Sequence, residues 1–205
     1  MRIRPVPTAA PFLAEALGTF ALVFAGPGSV AVNAASGGAV TGVGIGISFG
    51  LIVMAMIFAL GHLSGCHINP AVTIAMRALG RIENARALGY IAAQLAGAVL
   101  AGFAIIAIAG DAGDAGATAP RIGGADAALW SELILTFFLM FVILSVATDS
   151  RAQGTFAAIA IGGYVGFAAT GWGPIANASM NPARSFGPAL ASGTCLPIQA
   201  LIRMA

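Results

Sequence analysis

Five apolar stretches decide which solvent this chain folds in. They run at about 12–32, 39–60, 88–109, 128–147 and 154–169, and a hydrocarbon core ~30 Å thick takes about 20 apolar residues per helical crossing. Each stretch is long enough to span, the last only barely. The charge count points the same way: 8% of the 205 residues are charged and 59% are hydrophobic, where a soluble domain carries about 25% charge. A cytosolic enzyme, a nucleic-acid binder and a disordered chain are thereby excluded, and no length remains for a soluble domain beside the spans. The first stretch follows Arg2 and Arg4 as a signal sequence would. It is longer than the ~7–15 apolar residues of a signal, carries Glu15 and leads straight into another span, so it reads as a retained helix. Cys66 and Cys195 make no disulfide framework.

The arginines orient the spans. Arg2 and Arg4 precede the first, Arg77, Arg81 and Arg86 lie between the second and third, and Arg151 lies between the fourth and fifth. The 33–38 connection is uncharged, and the loop at 110–127 sets Asp111, Asp114 and Asp126 against Arg121 alone. The positive-inside rule makes the amino terminus and the loops near 80 and 150 cytoplasmic, in a cell (inner or plasma) membrane. The formal net charge of +2 comes from scattered arginines and calls for no nucleic-acid partner. Gly42, Gly46 and Gly50, and again Gly89, Ala93, Gly97 and Ala101, recur at every fourth position. Small residues at that spacing form the flat stripe on which helices approach closely in lipid.

The chain also repeats itself. Glu15 in Ala14-Glu15-Ala16-Leu17-Gly18-Thr19-Phe20 returns as Glu132 in Ser131-Glu132-Leu133-Ile134-Leu135-Thr136-Phe137, and Asn69-Pro70-Ala71 returns as Asn181-Pro182-Ala183. The two offsets are nearly equal, as one duplicated unit with a small loop difference requires. The unit holds three helices, an odd number, so the second copy is inverted in the membrane. The division is residues 1–110 for the first repeat (three spans and a half-helix at 69–79), 111–127 for an extracellular loop, and 128–205 for a second repeat showing two spans and a half-helix at 181–190. After Asn69 about ten helix-compatible residues follow, ~15 Å at 1.5 Å each and half the hydrocarbon thickness. Asn is a favoured cap and Pro a favoured first helical residue, so each motif marks a helix start. Two such starts, inverted, meet at the membrane centre. The segments before them, 61–68 and 171–180, read as irregular backbone, which at that depth must line a water-filled cavity or be buried in protein.

The stretch from Gly61-His62-Leu63-Ser64-Gly65-Cys66-His67-Ile68-Asn69-Pro70-Ala71-Val72-Thr73 and the stretch Met180-Asn181-Pro182-Ala183-Arg184-Ser185-Phe186-Gly187-Pro188-Ala189-Leu190 resemble the two signature loops of the aquaporins, the major intrinsic proteins. The resemblance runs from about Ala14 to Leu190 and implies an all-α membrane fold of inverted three-helix repeats. It further implies a homotetramer with one pore for water or small neutral solutes in each subunit, without enzyme activity, cofactor or metal. Where it breaks is the end: the stretch after Asn181 holds no apolar run long enough for a sixth span. Five full spans of an expected six leave a truncated, non-conducting remnant as one alternative.

The resemblance assigns a filter to Phe49, Ala169, Ala178 and Arg184, and pore-facing carbonyls to Gly65, Cys66, His67, Asn177, Ala178 and Ser179. Water-strict members carry His where Ala169 stands and usually Cys or Thr where Ala178 stands; glycerol-conducting members usually carry Asp after the Arg, where this chain has Ser185. Water is the favoured solute, with glycerol and urea as alternatives. Physically, the amides of Asn69 and Asn181 would donate to the oxygen of a passing water, and the positive ends of the two half-helices would oppose cations and protons. Arg184 is a charge at membrane depth and by default functional. Glu15 and Glu132 are read as structural acids accepting from the irregular loops. His67 edges a vestibule, His62 is a packed histidine, Trp172 is an interfacial anchor, and the two histidines lack the partners of a metal site.

Overall fold

The structure, a computed structural model, describes residues 8–147 and 156–194. Arg2, Arg4, Arg151 and Cys195, and the start of the fifth stretch at Gly154, lie outside the described residues.

Seven α-helices follow in order: α1 (Ala10–Ala35), α2 (Thr41–Ser64), α3 (Pro70–Ala78), α4 (Asn84–Ala109), α5 (Gly124–Ala147), α6 (Phe156–Ala176) and α7 (Pro182–Ala191). No strand occurs among the described residues. α1, α2, α4, α5 and α6 are long and apolar enough to cross a membrane; α3 and α7, at nine and ten residues, are not. Each span is longer than its apolar stretch. The irregular segments are correspondingly shorter than expected. α2 continues to Ser64 and stops where Gly65 turns left-handed (φ 84°), and α6 continues through Pro174 to Ala176. Within the expected irregular segments 61–68 and 171–180 and their caps, the backbone is non-helical only over 65–69 and 177–181. α5 likewise begins at Gly124, ahead of the expected 128.

The packing repeats with the sequence. α1 lies against α2 and α5 against α6, α2 and α6 form the central contact between the halves, and the starts of α3 and α7 meet. The glycine stripe explains how closely α2 and α6 approach. A side chain on Gly50 would fall 2.8 Å from the backbone oxygen of Gly162, and one on Gly162 would fall 2.6 Å from that of Gly50. Gly42 takes no part in this seam, since nothing lies within 4 Å of a Cβ built there. α4 covers the outer side of the first half, packing on both α1 and α7. Large apolar side chains face outward on every span, among them Leu13, Leu51, Leu100, Phe137 and Phe156. Such a surface suits lipid, where an outward Leu loses nothing, and not water.

The two halves differ around their acids. Among the described residues, no element stands to Glu132 as α4 stands to Glu15. A groove of about 400 Å³ between α3, α5 and α7 opens there instead, and Glu132, Ser179 and Ser185 line it.

Candidate functional site

The site is assembled from two helix starts. Asn69 and Asn181 are extended (φ −159° and −150°), each followed by Pro as the first helical residue. Asn69 Oδ1 accepts from Ala71 N at 2.8 Å, and Asn181 Oδ1 accepts from Ala183 N at 3.0 Å and from Arg184 N at 3.3 Å. Each side chain thus satisfies orphan amides of its own helix. The other end of each reaches across. Asn69 Nδ2 donates to Met180 O at 2.7 Å and Asn181 Nδ2 donates to Ile68 O at 2.9 Å, so the two irregular segments are stitched by a reciprocal pair. A side-chain amide has two N–H donors, so the cross-tie uses one hydrogen on each Asn and leaves one over.

The segments leading into the caps share an unusual backbone. Left-handed φ occurs at Gly65, Cys66 and Ile68 (84°, 48°, 43°) and, at the matching places before the second cap, at Asn177, Ala178 and Met180 (66°, 43°, 51°). Non-glycine residues in this region are strained and persist only where the surroundings hold them. The two acids supply the hold. Glu15 Oε1 accepts from His67 N at 2.8 Å and Oε2 from Ile68 N at 2.6 Å; Glu132 Oε1 accepts from Ser179 N at 2.6 Å and Oε2 from Met180 N at 2.7 Å. Charge-assisted bonds of this type are about twice as strong as neutral ones.

Between the halves runs a cavity of about 240 Å³, with Asn69 and Asn181 both on its wall. Leu22, Val53, Val72, Ile143, Ile161 and Val165 make much of the wall apolar, while Gly65, Cys66, His67, Ala178 and Ser179 bring in the irregular backbone. A second cavity of about 280 Å³ lies toward the 110–127 loop and takes in Asn33, Arg121, Ala169 and Asn177. Phe49 and Arg184 line both and so stand between them, the position called the neck below. The Arg184 guanidinium sits 5.2 Å from the centre of the Phe49 ring, a cation–π arrangement. Its Nη1 donates to Gly116 O at 3.0 Å, whereas Nε and Nη2 have no partner although the residue is 1% exposed.

Of the four positions expected to form a filter, Phe49 and Arg184 line both cavities, Ala169 lines the vestibule and Ala178 the central cavity. Asn177 borders the vestibule, away from the other residues grouped with it as pore-facing backbone. His67 is half-buried, its Nδ1 3.1 Å from Thr73 Oγ1. Thr73 Oγ1 also lies 3.0 Å from Asn69 O and accepts from Gln94 Nε2 at 2.9 Å. His62 is exposed rather than packed: it sits in the last turn of α2, on the outer side of the helix. Trp172 is 44% exposed at the end of α6.

Sequence reasoning missed the support around Glu15. Gln94 Nε2 donates to Glu15 Oε2 at 2.7 Å and to Thr73 Oγ1 at 2.9 Å, Ser64 Oγ donates to Glu15 Oε1 at 2.6 Å, and Tyr90 OH donates to Ser64 O at 2.9 Å. The available signal was Gln94 itself, a lone amide inside an apolar span, where polar side chains act as interhelical ties.

Paired half-helices capped across a shared cavity, in an inverted bundle of apolar helices, define a multi-pass membrane protein with a lined cavity at its centre. The chain belongs to the major intrinsic protein family (MIP), whose profile matches residues 2–199. It is similar to Aquaporin NIP1-3 of Oryza sativa subsp. japonica, 48% identical over 181 residues (88% of this chain, 63% of the relative). It is also similar to Aquaporin NIP1-1 of Zea mays, 44% identical over 188 residues (92% of this chain, 67% of the relative). The chain thus spans about two thirds of the length of these curated relatives. Among solved structures it resembles the aquaglyceroporin from Plasmodium falciparum, with a TM-score of 0.79 at 25% identity over 90% of this chain and 81% of that one.

Proposed function

We propose that the chain is a passive transmembrane channel that conducts water and excludes ions and protons. The observation that carries this reading is the pair of capped helix starts facing each other across the central cavity. Each start contributes about half a positive elementary charge, which opposes a cation at the midplane. The remaining amide hydrogens of Asn69 and Asn181 would hold a water by its oxygen, turning its hydrogens away and breaking the donor chain along which a proton hops. Arg184 adds a full positive charge at the neck. The apolar wall lets water pass without binding tightly.

A second reading, that small neutral solutes the size of glycerol or urea also pass, is favoured by Ala169 and Ala178, which leave the neck wide beside Phe49. The relation to an aquaglyceroporin supports it. The expected assembly is a homotetramer in a cell (inner or plasma) membrane. The positive-inside rule supports a cytoplasmic assignment for the side that carries Arg77, Arg81 and Arg86, and with it for the amino terminus.

Proteoliposome shrinkage tests both. Under an impermeant osmolyte, vesicles holding the protein should shrink faster than empty ones; shrinkage at the empty-vesicle rate overturns the channel reading. A glycerol gradient then decides between the two solute ranges.

A further inference from the structure

Four buried side-chain nitrogen or oxygen atoms among the described residues lack a hydrogen-bond partner, and three of them belong to two residues that line one cavity: Arg184 Nε, Arg184 Nη2 and Asn177 Oδ1. Buried polar groups are nearly always paired, and leaving one unpaired is costly. Both residues are more than nine-tenths buried and both line the vestibule cavity. Two are donors and one is an acceptor.

The repeat shows that Asn177 is not demanded by the backbone. Its mate is Gly65, which precedes Asn69 as Asn177 precedes Asn181 and has the same left-handed conformation. Glycine adopts that conformation without strain, and Asn is among the few other residues that tolerate it. The side chain is therefore an addition specific to the second half. Its Nδ2 donates to Ala117 O at 3.2 Å, which ties it to the 110–127 loop and fixes which end points where. Oδ1 is turned away from that tie and left free.

We propose that Asn177 is a solute-reading residue: its side-chain oxygen, with the free guanidinium nitrogens of Arg184, forms an acceptor and donor set that holds a small neutral solute bearing a hydroxyl or amide hydrogen in the vestibule. This rests on the small-solute reading above and adds to it a residue that recognises the solute by side chain. A hydroxyl both accepts from Arg184 and donates to Asn177, so it satisfies atoms that a purely accepting molecule of the same size leaves unpaired. Arg121 at the rim of the same cavity adds a second cation and no carboxylate lines it, which favours oxygen-rich solutes over cationic ones.

The test uses the full chain with glycerol and water as probes. The ratio of glycerol to water permeability is measured in proteoliposomes, so that loss of folded protein cancels. Glycerol binding to the detergent-solubilised protein is followed separately by saturation-transfer NMR. Asn177→Gly keeps the backbone and removes the acceptor; the ratio and the NMR transfer should each fall about five- to tenfold, the effect of one hydrogen bond. Asn177→Asp, nearly isosteric, should lower both as well, because it cannot donate to Ala117 O, the tie that fixes where the side-chain oxygen points, and it serves if the glycine variant fails to fold. No glycerol transfer in the natural chain, or ratio and transfer unchanged in both variants, overturns the proposal. Transfer that is lost in Asn177→Gly while the natural chain carries no flux above empty vesicles supports the subsite and overturns the channel reading instead.

Discussion

Asn69 Nδ2 donates to the backbone oxygen of Met180 at 2.7 Å, and Asn181 Nδ2 returns the bond to Ile68 O at 2.9 Å. The caps are thus also the stitches between the halves. Asn69→Asp keeps an oxygen to cap α3 but loses the donor and sets a carboxylate against a carbonyl. It should lower stability by about 1–3 kcal/mol, the cost of leaving a buried group unpaired. Thermal melting in detergent checks this, and Asn181→Asp should follow in the same direction. Because each variant also places a negative charge at the positive helix starts, cation leak into proteoliposomes should rise. Melting and leak at the level of the natural chain would show the stitch to be incidental.

Phe49 owes its position to a missing side chain. A Cβ on Gly26 would lie 2.5 Å from Phe49 Cδ1 and 2.6 Å from Cζ, so Gly26→Ala must push the ring toward the neck that it shares with Arg184. Overpacking of this kind costs about 1–3 kcal/mol. Water permeability per inserted protein should fall severalfold. Gly28→Ala is the nearby control: a Cβ there meets Ile105 at 3.5 Å, ordinary contact, and permeability should be kept. Equal permeability in both variants would remove Gly26 from the account of the neck.

The two acids are matched in sequence but not in load. Among the described residues Glu15 accepts four bonds, from Ser64, His67, Ile68 and Gln94, and is fully buried. Glu132 accepts from Ser179 and Met180 and is half-buried beside an open groove. Replacing a carboxylate by an amide turns an acceptor into a donor that faces N–H groups. Glu15→Gln should therefore cost about 2–4 kcal/mol and Glu132→Gln about 1–2 kcal/mol, from the strength of bonds to charged groups. Thermal melts of the two single variants check the order; the reverse order would mean that the groove side carries the greater strain.

Much of this was legible in one dimension. The motif Asn-Pro-Ala encodes a cap and a first turn in three residues, and its duplication encodes the inversion, so the meeting of α3 and α7 followed from sequence. Glu15 and Glu132 stood out because a carboxylate inside an apolar span demands donors. The length of the irregular segments did not: 171–180 reads as non-helical throughout, yet α6 runs through Pro174 to Ala176. Gln94, Tyr90 and the Gly26 slot were not legible either. Their roles depend on which residues of other helices they face, and periodicity along one helix carries no information about its neighbours. The orphaned oxygen of Asn177 is a still finer case, visible only after every donor around it is placed.

Cys66 tests where the central wall lies. It is 7% exposed and free, stands in left-handed conformation shortly before Asn69, and lines the cavity that also holds Asn69 and Asn181. A mercury ion bound to its sulfur would fill part of a space of about 240 Å³. Mercuric chloride should therefore bring water permeability down toward that of empty vesicles, and a small thiol should restore it. Cys66→Ser should conduct and resist the block, whereas Cys195→Ser should remain sensitive. The repeat supplies a stricter version. Ala178 is the mate of Cys66, with nearly the same φ, and borders the same cavity from the second half. Adding Ala178→Cys to the Cys66→Ser protein should restore sensitivity, because the thiol then enters the wall beside Arg184 from the opposite segment. If the double variant resists mercury while still conducting, the 177–181 segment does not face the path, and the pairing of the two halves around one cavity would have to be abandoned.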